Sequence, residues 1–508
     1  MSNVTADLHA QFHHLQTLVP FSHANSGTPW LADNATKHHR KLCDSLEQAI
    51  ERSGLRDGMT ISFHHAFREG DMVINRVVLT LARMGFKNLT LASSSLMTCN
   101  DVLIEPIRAG VITKIYTSGM RGKLADAISH GLMEEPVQIH SHGGRVKLLQ
   151  DGELNIDVAF LGVPCSDEFG NANGSHGKSC CGSLGYAMVD AEFAHKVVLL
   201  TEQLVPFPNM PASLAQDQVD YIVTVDQVGD PAKISVGAAR VTSNPRELLI
   251  ARAAAEVIEY SGYFTDGFSL QTGSGASSTA CTRFLARKML RNGIKARFAL
   301  GGITGGIVDL HEQGLIGKIL DTQSFDGQAA ASLEHNANHI EISTSVYANP
   351  IAKAACCDQL DIVILSALEI DLAFNVNVIT GSDGVMRGAS GGHCDVAAAA
   401  NLTIVVAPLT RSRIPTVVRQ VTTLVTPGES IDVLVTDQGI AVNPARPDVR
   451  QRLEDAGLAV MDIEQLYHRA VALTGEPKAI EFTSRIVGII RYRDGSVIDV
   501  VRQVKEEE

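Results

Sequence analysis

The sequence predicts an α/β protein: two tandem, pseudo-symmetric domains, each built on an open parallel sheet, with a β-hairpin near the C-terminus. Three observations predict it. The chain has 508 residues, more than one hydrophobic core usually organises. A set of features recurs in the same order about 200 positions downstream. Within each copy, short apolar strands alternate with helix-period segments, the pattern that gives parallel sheets with right-handed crossovers.

The N-terminal arm, residues 1–40, is rich in His and holds the only Trp, Trp30. On that composition it is read as packing or assembly structure; residues 1–14 also contain no apolar signal core. The first domain spans 40–235. There Ser53-Gly54 leads to Asp57-Gly58 and an apolar strand at 59–63, and a helix-period segment at 73–83 is stopped by Gly85. The second domain, 240–508, opens the same way. Ser261-Gly262 leads to Asp266-Gly267 and a strand at 268–270, then to a helix at 279–290 stopped by Gly293.

The match continues. Gly110-Val111-Ile112-Thr113-Lys114-Ile115 recurs as Gly314-Leu315-Ile316-Gly317-Lys318-Ile319, an offset of 204 (314 − 110). The strand at 157–163 runs into Asp167, Asn171 and Asn173, and at the same offset the strand at 361–367 runs into Asp371, Asn375 and Asn377. Residues 487–492, the turn Arg493-Asp494-Gly495 and residues 497–501 read as a β-hairpin.

Composition removes several classes of function. The formal net charge is −13, which leaves no broad basic face for nucleic acid. No apolar run reaches the roughly 18–20 residues of a bilayer span. Nine cysteines, an odd number without regular spacing, suit free or buried thiols in a reducing compartment, so a cytoplasmic protein without a membrane partner is expected. Cys180-Cys181 and Cys356-Cys357 are adjacent rather than at zinc spacing. His38-His39 and His64-His65 lack a His-Glu-x-x-His context, and no metal is expected. Neither a phosphate loop ending in Gly-Lys-Ser/Thr nor a Gly-x-Ser-x-Gly elbow is present.

Ligands of open parallel sheets bind beyond the carboxyl ends of the strands, so the loops there are the candidates. Gln271-Thr272-Gly273-Ser274-Gly275-Ala276 joins a strand to a helix, where glycines let the backbone approach a ligand and helix-start N–H groups hold negative charge. The strand at 296–300 ends in Gly301-Gly302-Ile303-Thr304-Gly305-Gly306, a donor nest for a developing oxyanion or a close-packed turn. Asn375 and Asn377 lead into Gly381-Ser382-Asp383-Gly384 and the run from Arg387 through Gly391, Gly392 and His393 to Asp395. In the first copy, His64, His65 and Arg68 stand at the matching strand end and suit a carboxylate-rich ligand. Ser118 to Gly122, with Arg121, and His140 to Arg145 add donors. Each of these has a plainer reading as a tight turn, a core histidine or a solvated charge; their number is the argument.

The second copy resembles the CoA-transferases of the acetate/4-hydroxybutyrate type in Ser269 to Gly275, the Gly301–Gly306 turn, Glu369-Ile370-Asp371 with Asn375-Val376-Asn377, and Ser390-Gly391-Gly392. Across essentially the whole chain, including arm and hairpin, the sequence is similar to the alpha subunits of citrate lyase. The resemblance implies a CoA-transferase (NagB/RpiA-like) fold. It implies exchange of citrate with an acetyl-acyl-carrier protein, or acetyl-CoA, to give the citryl thioester and acetate. The implied partners are the gamma subunit that carries the acyl group, a beta subunit that cleaves the citryl thioester, and further alpha subunits in an alpha–beta–gamma complex. No cofactor is expected on this chain itself; the co-substrate is CoA or the carrier's prosthetic group.

In typical relatives a glutamate follows the threonine of the glycine turn and forms a covalent thioester. Here Gly305 follows Thr304. The implied route is therefore attack by a citrate carboxylate on the acetyl thioester, through a mixed anhydride. On this reading Gly273, Ser274, Gly275, Thr304 and Gly305 form the oxyanion and thioester loops. His64, His65, Arg68, Asn375, Asn377, Arg387, Gly391, Gly392 and His393 bind substrate. Three other readings stand beside it. A conventional short-acid CoA-transferase or thioester hydrolase would use Glu369 as nucleophile. A citramalate lyase alpha subunit would differ only in substrate. An effector-binding module on the same fold would bind sugar phosphates without catalysis.

Overall fold

The computed structural model describes residues 4–15, 41–234, 242–273 and 275–505. Most of the arm, including Trp30, the 235–240 boundary and Ser274 lie outside the described residues. Two large sheets organise the rest. The first has ten strands in the order Leu42–Cys43, Tyr221–Thr224, Lys196–Thr201, Val158–Val163, Thr60–Phe63, Leu89–Ser93, Ile112–Thr117, Val137–Ile139, Phe482–Arg491 and Val497–Val504. The second has nine: His339–Glu341, Ile316–Ser324, Ala296–Ile303, Phe268–Thr272, Ile362–Ser366, Leu402–Val406, Val433–Thr436, Gly439–Val442 and Val460–Met461. From Tyr221–Thr224 to Val137–Ile139 the first sheet runs in the same topological order as the second from Val433–Thr436 to His339–Glu341.

The repeat is visible atom by atom. Asp57 Oδ1 accepts the Lys87 N–H at 2.8 Å, and Asp266 Oδ1 accepts the Lys295 N–H at 3.0 Å. Asp157 Oδ2 accepts the Thr60 N–H, and Asp361 Oδ2 the Ser269 N–H, both at 2.8 Å. Each pair ties a strand start to its neighbour, so these aspartates recur because turns need acceptors. The helix Val73–Arg83 has the span expected from the sequence, while the second-copy helix is longer, Ala276–Asn292, because Gly275 serves as its N-cap. Gly293 ends it at φ +65°, a conformation that only a residue without a Cβ adopts freely.

Strands of the second sheet are buried on both faces. Ile362, Ile364, Ile404, Val433 and Val435 join one apolar cluster, and the alternate residues Val363, Leu365, Val405 and Leu434 join another. Two features depart from expectation. The C-terminal hairpin does not extend the second sheet: Gly488 and Ile490 pair with Val137 and Ile139 of the first. The glycine turn at 301–306 is not a loop, because the strand Ala296–Ile303 continues through Gly301 and Gly302 with a register shift between them. The helix Gly305–Glu312 begins immediately after.

The halves meet along a hydrogen-bonded seam at their strand ends. Met120 N–H donates to Gly388 O at 3.1 Å, and Ser390 N–H donates to Ser118 O at 2.7 Å. Gln323 Nε2 donates to His65 O at 3.0 Å, and Ser183 Oγ donates to Asp321 O at 2.9 Å.

Candidate active site

A cavity of about 460 Å³ opens at this seam, lined by loops from both halves. Its cations are Arg68, Arg121, Arg387 and Arg411, and its histidines are His65, His142 and His393. Among the described residues that line it there is no Asp or Glu.

Arg68 is the centre of this arrangement. It follows the strand Thr60–Phe63 with φ +53° and is only 6% exposed. Its guanidinium lies 4.7 Å over the Phe325 ring, and among the described residues its buried Nε has no hydrogen-bond partner and no carboxylate forms an ion pair with it. Burial, and then the charge of Arg121, pull its pKa down to about 10. A buried, unpaired cation is costly, and a ligand anion is the partner that offsets the cost. Arg411 is fixed by donating to the carbonyls of Ala367 and Leu368, and burial lowers its pKa.

Three aromatic side chains floor the first-half wall. His65 Nδ1 bonds Ser94 Oγ at 2.6 Å, and its ring lies 5.7 Å from His142 and 4.7 Å from Tyr186. Burial, the neighbouring His142 and Arg68 push His65 well below the usual imidazole range, so it stays uncharged at neutral pH. Cavity-lining Ser118 Oγ, Thr272 Oγ1, Thr322 Oγ1 and Gln271 Oε1 are buried without partners.

Comparison with known proteins decides the family. The family described as citrate lyase, alpha subunit (CitF) matches residues 39–504. The citrate lyase alpha chain of Klebsiella pneumoniae is 66% identical over 508 residues, 100% of both chains. That of Escherichia coli (strain K12) is 67% identical over 467 residues, 92% of each. This chain belongs to the citrate lyase alpha subunit family. A Streptococcus mutans structure described as an alpha subunit of citrate lyase in complex with citrate is 54% identical, with TM-score 0.90 over 92% of each chain. The alpha–beta fold extends further: a Pseudomonas malonate decarboxylase hetero-tetramer matches with TM-score 0.63 at 15% identity, over 89% of this chain and 98% of that one.

The structure of this family member gathers some of the residues singled out from the sequence and separates others. His65, Arg68, Gly273, Gly275, Arg387, Gly391, Gly392 and His393 line the cavity. Arg387 does so at the rim, 49% exposed, hydrogen-bonded to Asp383 and 3.8 Å from Asp126. His393 has both ring nitrogens engaged, with Thr426 Oγ1 at 2.7 Å and Ser366 O at 3.1 Å, which leaves it a wall rather than a free donor. Ser274 lies outside the described residues.

His64, Thr304, Gly305, Glu369, Asn375 and Asn377 do not reach the cavity, each for a local reason. His64 Nε2 bonds Gly162 O at 2.8 Å inside the first core. Thr304 is fully buried at a helix start, and the Gly305 N–H is taken by Asp326 Oδ2 at 2.8 Å. The Gly273 N–H is also spent, on Ile364 O at 2.7 Å, so neither glycine supplies an oxyanion donor from its own N–H. Asn377 Oδ1 accepts the N–H groups of Ile379 and Thr380, and Asn375 Oδ1 that of Gly428. They build a turn, as Asn173 does in the first copy by accepting the N–H groups of Ser175 and His176.

Sequence reasoning passed over Arg411 and Tyr186, and it named Gln271 only as part of the loop 271–276. A cation shortly after the apolar run 402–407 was the available signal for Arg411, since that position follows a strand's carboxyl end. Among the described residues no group of three or more His, Cys, Asp or Glu could hold a metal ion, and no helix is long and apolar enough to cross a membrane.

Proposed function

We propose that the chain is the acyl-exchanging subunit of citrate lyase, converting citrate and an acetyl thioester into a citryl thioester and acetate. The observation that carries this is the charge of the cavity. In a protein of formal net charge −13, its lining holds, among the described residues, four arginines and no carboxylate. That is the complement of a tricarboxylate, which Arg forks hold bidentately. Family membership and the citrate bound by the Streptococcus mutans relative support the same substrate.

The same feature favours the direct route. A citrate carboxylate oxygen attacks the acetyl carbonyl carbon, the C–S bond breaks, and the thiolate leaves a mixed anhydride. The thiolate then attacks the citryl carbonyl and acetate departs. No proton is gained or lost, so no general base is required. The protein contributes orientation, worth several kcal/mol through effective concentration (about 7–11 at the limit), and cationic stabilisation of the tetrahedral oxyanions. The start of the helix Ala276–Asn292, opening on Gly275 at the cavity, adds its positive end. A glutamyl thioester would need a carboxylate in the cavity, whereas Glu369 borders a separate pocket beside Arg419 and Lys478. In this proposal the thioester is carried by a gamma subunit or by CoA, a beta subunit cleaves the product, and this chain carries no cofactor of its own. It works as one of several alpha subunits in a cytoplasmic complex.

The test uses purified chain, acetyl-CoA and labelled citrate, with citramalate as a second acid and borohydride trapping in parallel. Citryl-CoA with equimolar acetate and no trapped enzyme thioester is expected. A trapped thioester overturns the direct route but keeps the exchange. Faster turnover of citramalate reassigns the substrate, and acid-independent acetate release points to a hydrolase.

A further inference from the structure

The histidine at position 142 is placed by the opposite half of the molecule. It opens the helix His142–Gln150, whose N-cap is Ser141. Three consecutive residues there are tied across the seam. Ser141 Oγ donates to Asp395 Oδ1 at 2.7 Å, the His142 N–H donates to Gly391 O at 2.8 Å, and the Gly143 N–H donates to Asp395 Oδ2 at 2.9 Å. Asp395 is fully buried, on the helix His393–Ala399 that starts at the cavity wall, and Arg493 Nε of the hairpin stands 3.9 Å from it. The approach is so close that a Cβ on Gly143 would fall 2.0 Å from Ala348 O and 2.8 Å from Asp395 Oδ1.

The ring so placed has one open edge. His142 Nδ1 is buried without a partner, while the ring lines the cavity against His65 and Tyr186. The space that a side chain on Gly391 would fill opens onto His142 Nε2, 3.6 Å from an ideal Cβ. With Nδ1 walled off, a proton on Nε2 leaves no buried N–H unmatched once an oxygen ligand occupies that space.

We propose that His142 donates a hydrogen bond from Nε2 to an oxygen of the bound tricarboxylate, and that Asp395 is its positioning residue, acting across the seam through Ser141 and Gly143. Burial and the nearby Arg145 push the His142 pKa to about 3, so the contact is made by an uncharged donor and adds direction rather than charge. The inference rests on the acyl-exchange reading for its substrate, and on the geometry alone for its residues.

The test measures KM for citrate, KM for acetyl-CoA and kcat for His142→Phe, Asp395→Asn and the double variant. Citrate-induced thermal stabilisation is measured on each. Losing a donor to a charged group corresponds to about 10–100-fold. His142→Phe is expected to raise the citrate KM by that factor and shrink the citrate shift, with the acetyl-CoA KM unchanged. Asp395→Asn is expected to do the same, and the double variant to be no worse than His142→Phe, since both remove one contact. If Asp395→Asn does not fold, Ser141→Ala, which removes one of the two tethers, takes its place in the cycle. A citrate KM and citrate shift within about twofold of wild type in His142→Phe would overturn the donor role. Multiplicative losses in the double variant would overturn the positioning role. Wild type that is stabilised by citrate but makes no citryl-CoA would sink the reaction, while the citrate shifts still decide His142.

Discussion

Glu369 Oε2 accepts a hydrogen bond from Asn377 Nδ2 at 2.8 Å, and the same carboxylate takes the Thr422 N–H at 2.7 Å and the Thr422 hydroxyl at 3.0 Å. A carboxylate with three donors is a brace rather than a nucleophile: attack would require it to leave bonds that nothing else would make. Glu369→Gln should therefore keep citrate-dependent acetate release within about threefold while lowering the unfolding midpoint. The amide oxygen can keep the two N–H donors at Oε2 while its NH2 donates to the Thr422 hydroxyl, which rotates to accept, so the loss is that of charge assistance, about 1 kcal/mol. A loss of a thousandfold in kcat with unchanged stability would make Glu369 the nucleophile after all.

Replacing Arg68 separates binding from folding. Its guanidinium is buried beside Arg121, whose charge outweighs that of Glu69, and among the described residues no carboxylate forms an ion pair with it. Arg68→Met removes that burden, so the ligand-free protein should melt at the same temperature or a few degrees higher. Its stabilisation by citrate, about 2.7 kcal/mol at a hundred times Kd in wild type, should vanish. The citrate KM should rise at least about thirtyfold. Arg68→Lys should fall between the two, because an ammonium keeps the charge but not the fork. A drop in ligand-free stability with citrate binding intact would mean that Arg68 serves the fold.

The repeat could be read from the sequence because the chemistry that repeats is local. Asp57 and Asp266, or Asp157 and Asp361, each accept a backbone N–H of a neighbouring strand, and such a requirement recurs with the strand order. The same locality misled the reading of Asn375 and Asn377. Their polarity marks a loop at a strand end, but whether an amide faces a ligand or its own backbone depends on where the lone pairs point, which composition does not encode. The cavity itself is assembled from segments that meet only in three dimensions. His65, Gln323, Gly391 and Arg411 share no motif, and the hairpin's return to Val137–Ile139 has no signal in its own residues. Arg68 and the loop at 387–393 stood out because charge and glycine at strand ends are rarely idle in a sheet of this type.

The seam offers a test of how tightly the halves must pack. Gly182 has φ +77°, and a Cβ there would lie 2.1 Å from Ser324 Oγ, a hydroxyl already donating to Asp321 Oδ2 at 2.6 Å. Gly267 has φ +83° but nothing within 4 Å. Both alanine variants bear the left-handed strain of about 1 kcal/mol. Only Gly182→Ala adds overpacking of about 1–3 kcal/mol. Thermal unfolding should rank wild type above Gly267→Ala and Gly267→Ala well above Gly182→Ala. Equal losses would show that the halves can slide apart without penalty.

Acid sensitivity should trace to buried imidazoles, and His64 isolates one of them outside the cavity. Burial pushes its pKa down to about 4, against a small upward pull from its bond to Gly162 O, whereas an unfolded histidine titrates near 6.5. Both states are uncharged above pH 6.5, so the full stability is present there. As pH falls from 6.5 toward 4 the unfolded chain takes up a proton that the native site refuses, and stability is lost at up to about 1.4 kcal/mol per pH unit. Buried carboxylates act in the opposite sense: Asp71, raised to about 7, and Asp395, raised to about 6, bind protons in the native state before the unfolded chain does. The curve for the whole protein is therefore a difference of opposing slopes, and its sign alone diagnoses nothing. The comparison with His64→Gln cancels every other group, since the amide can still donate to Gly162 O without titrating. Denaturant unfolding at pH 7 and pH 4.5 should show the variant losing about 2 kcal/mol less than wild type between the two. Parallel losses would mean that His64 is protonated in the native protein, with its bond to Gly162 O made by an imidazolium.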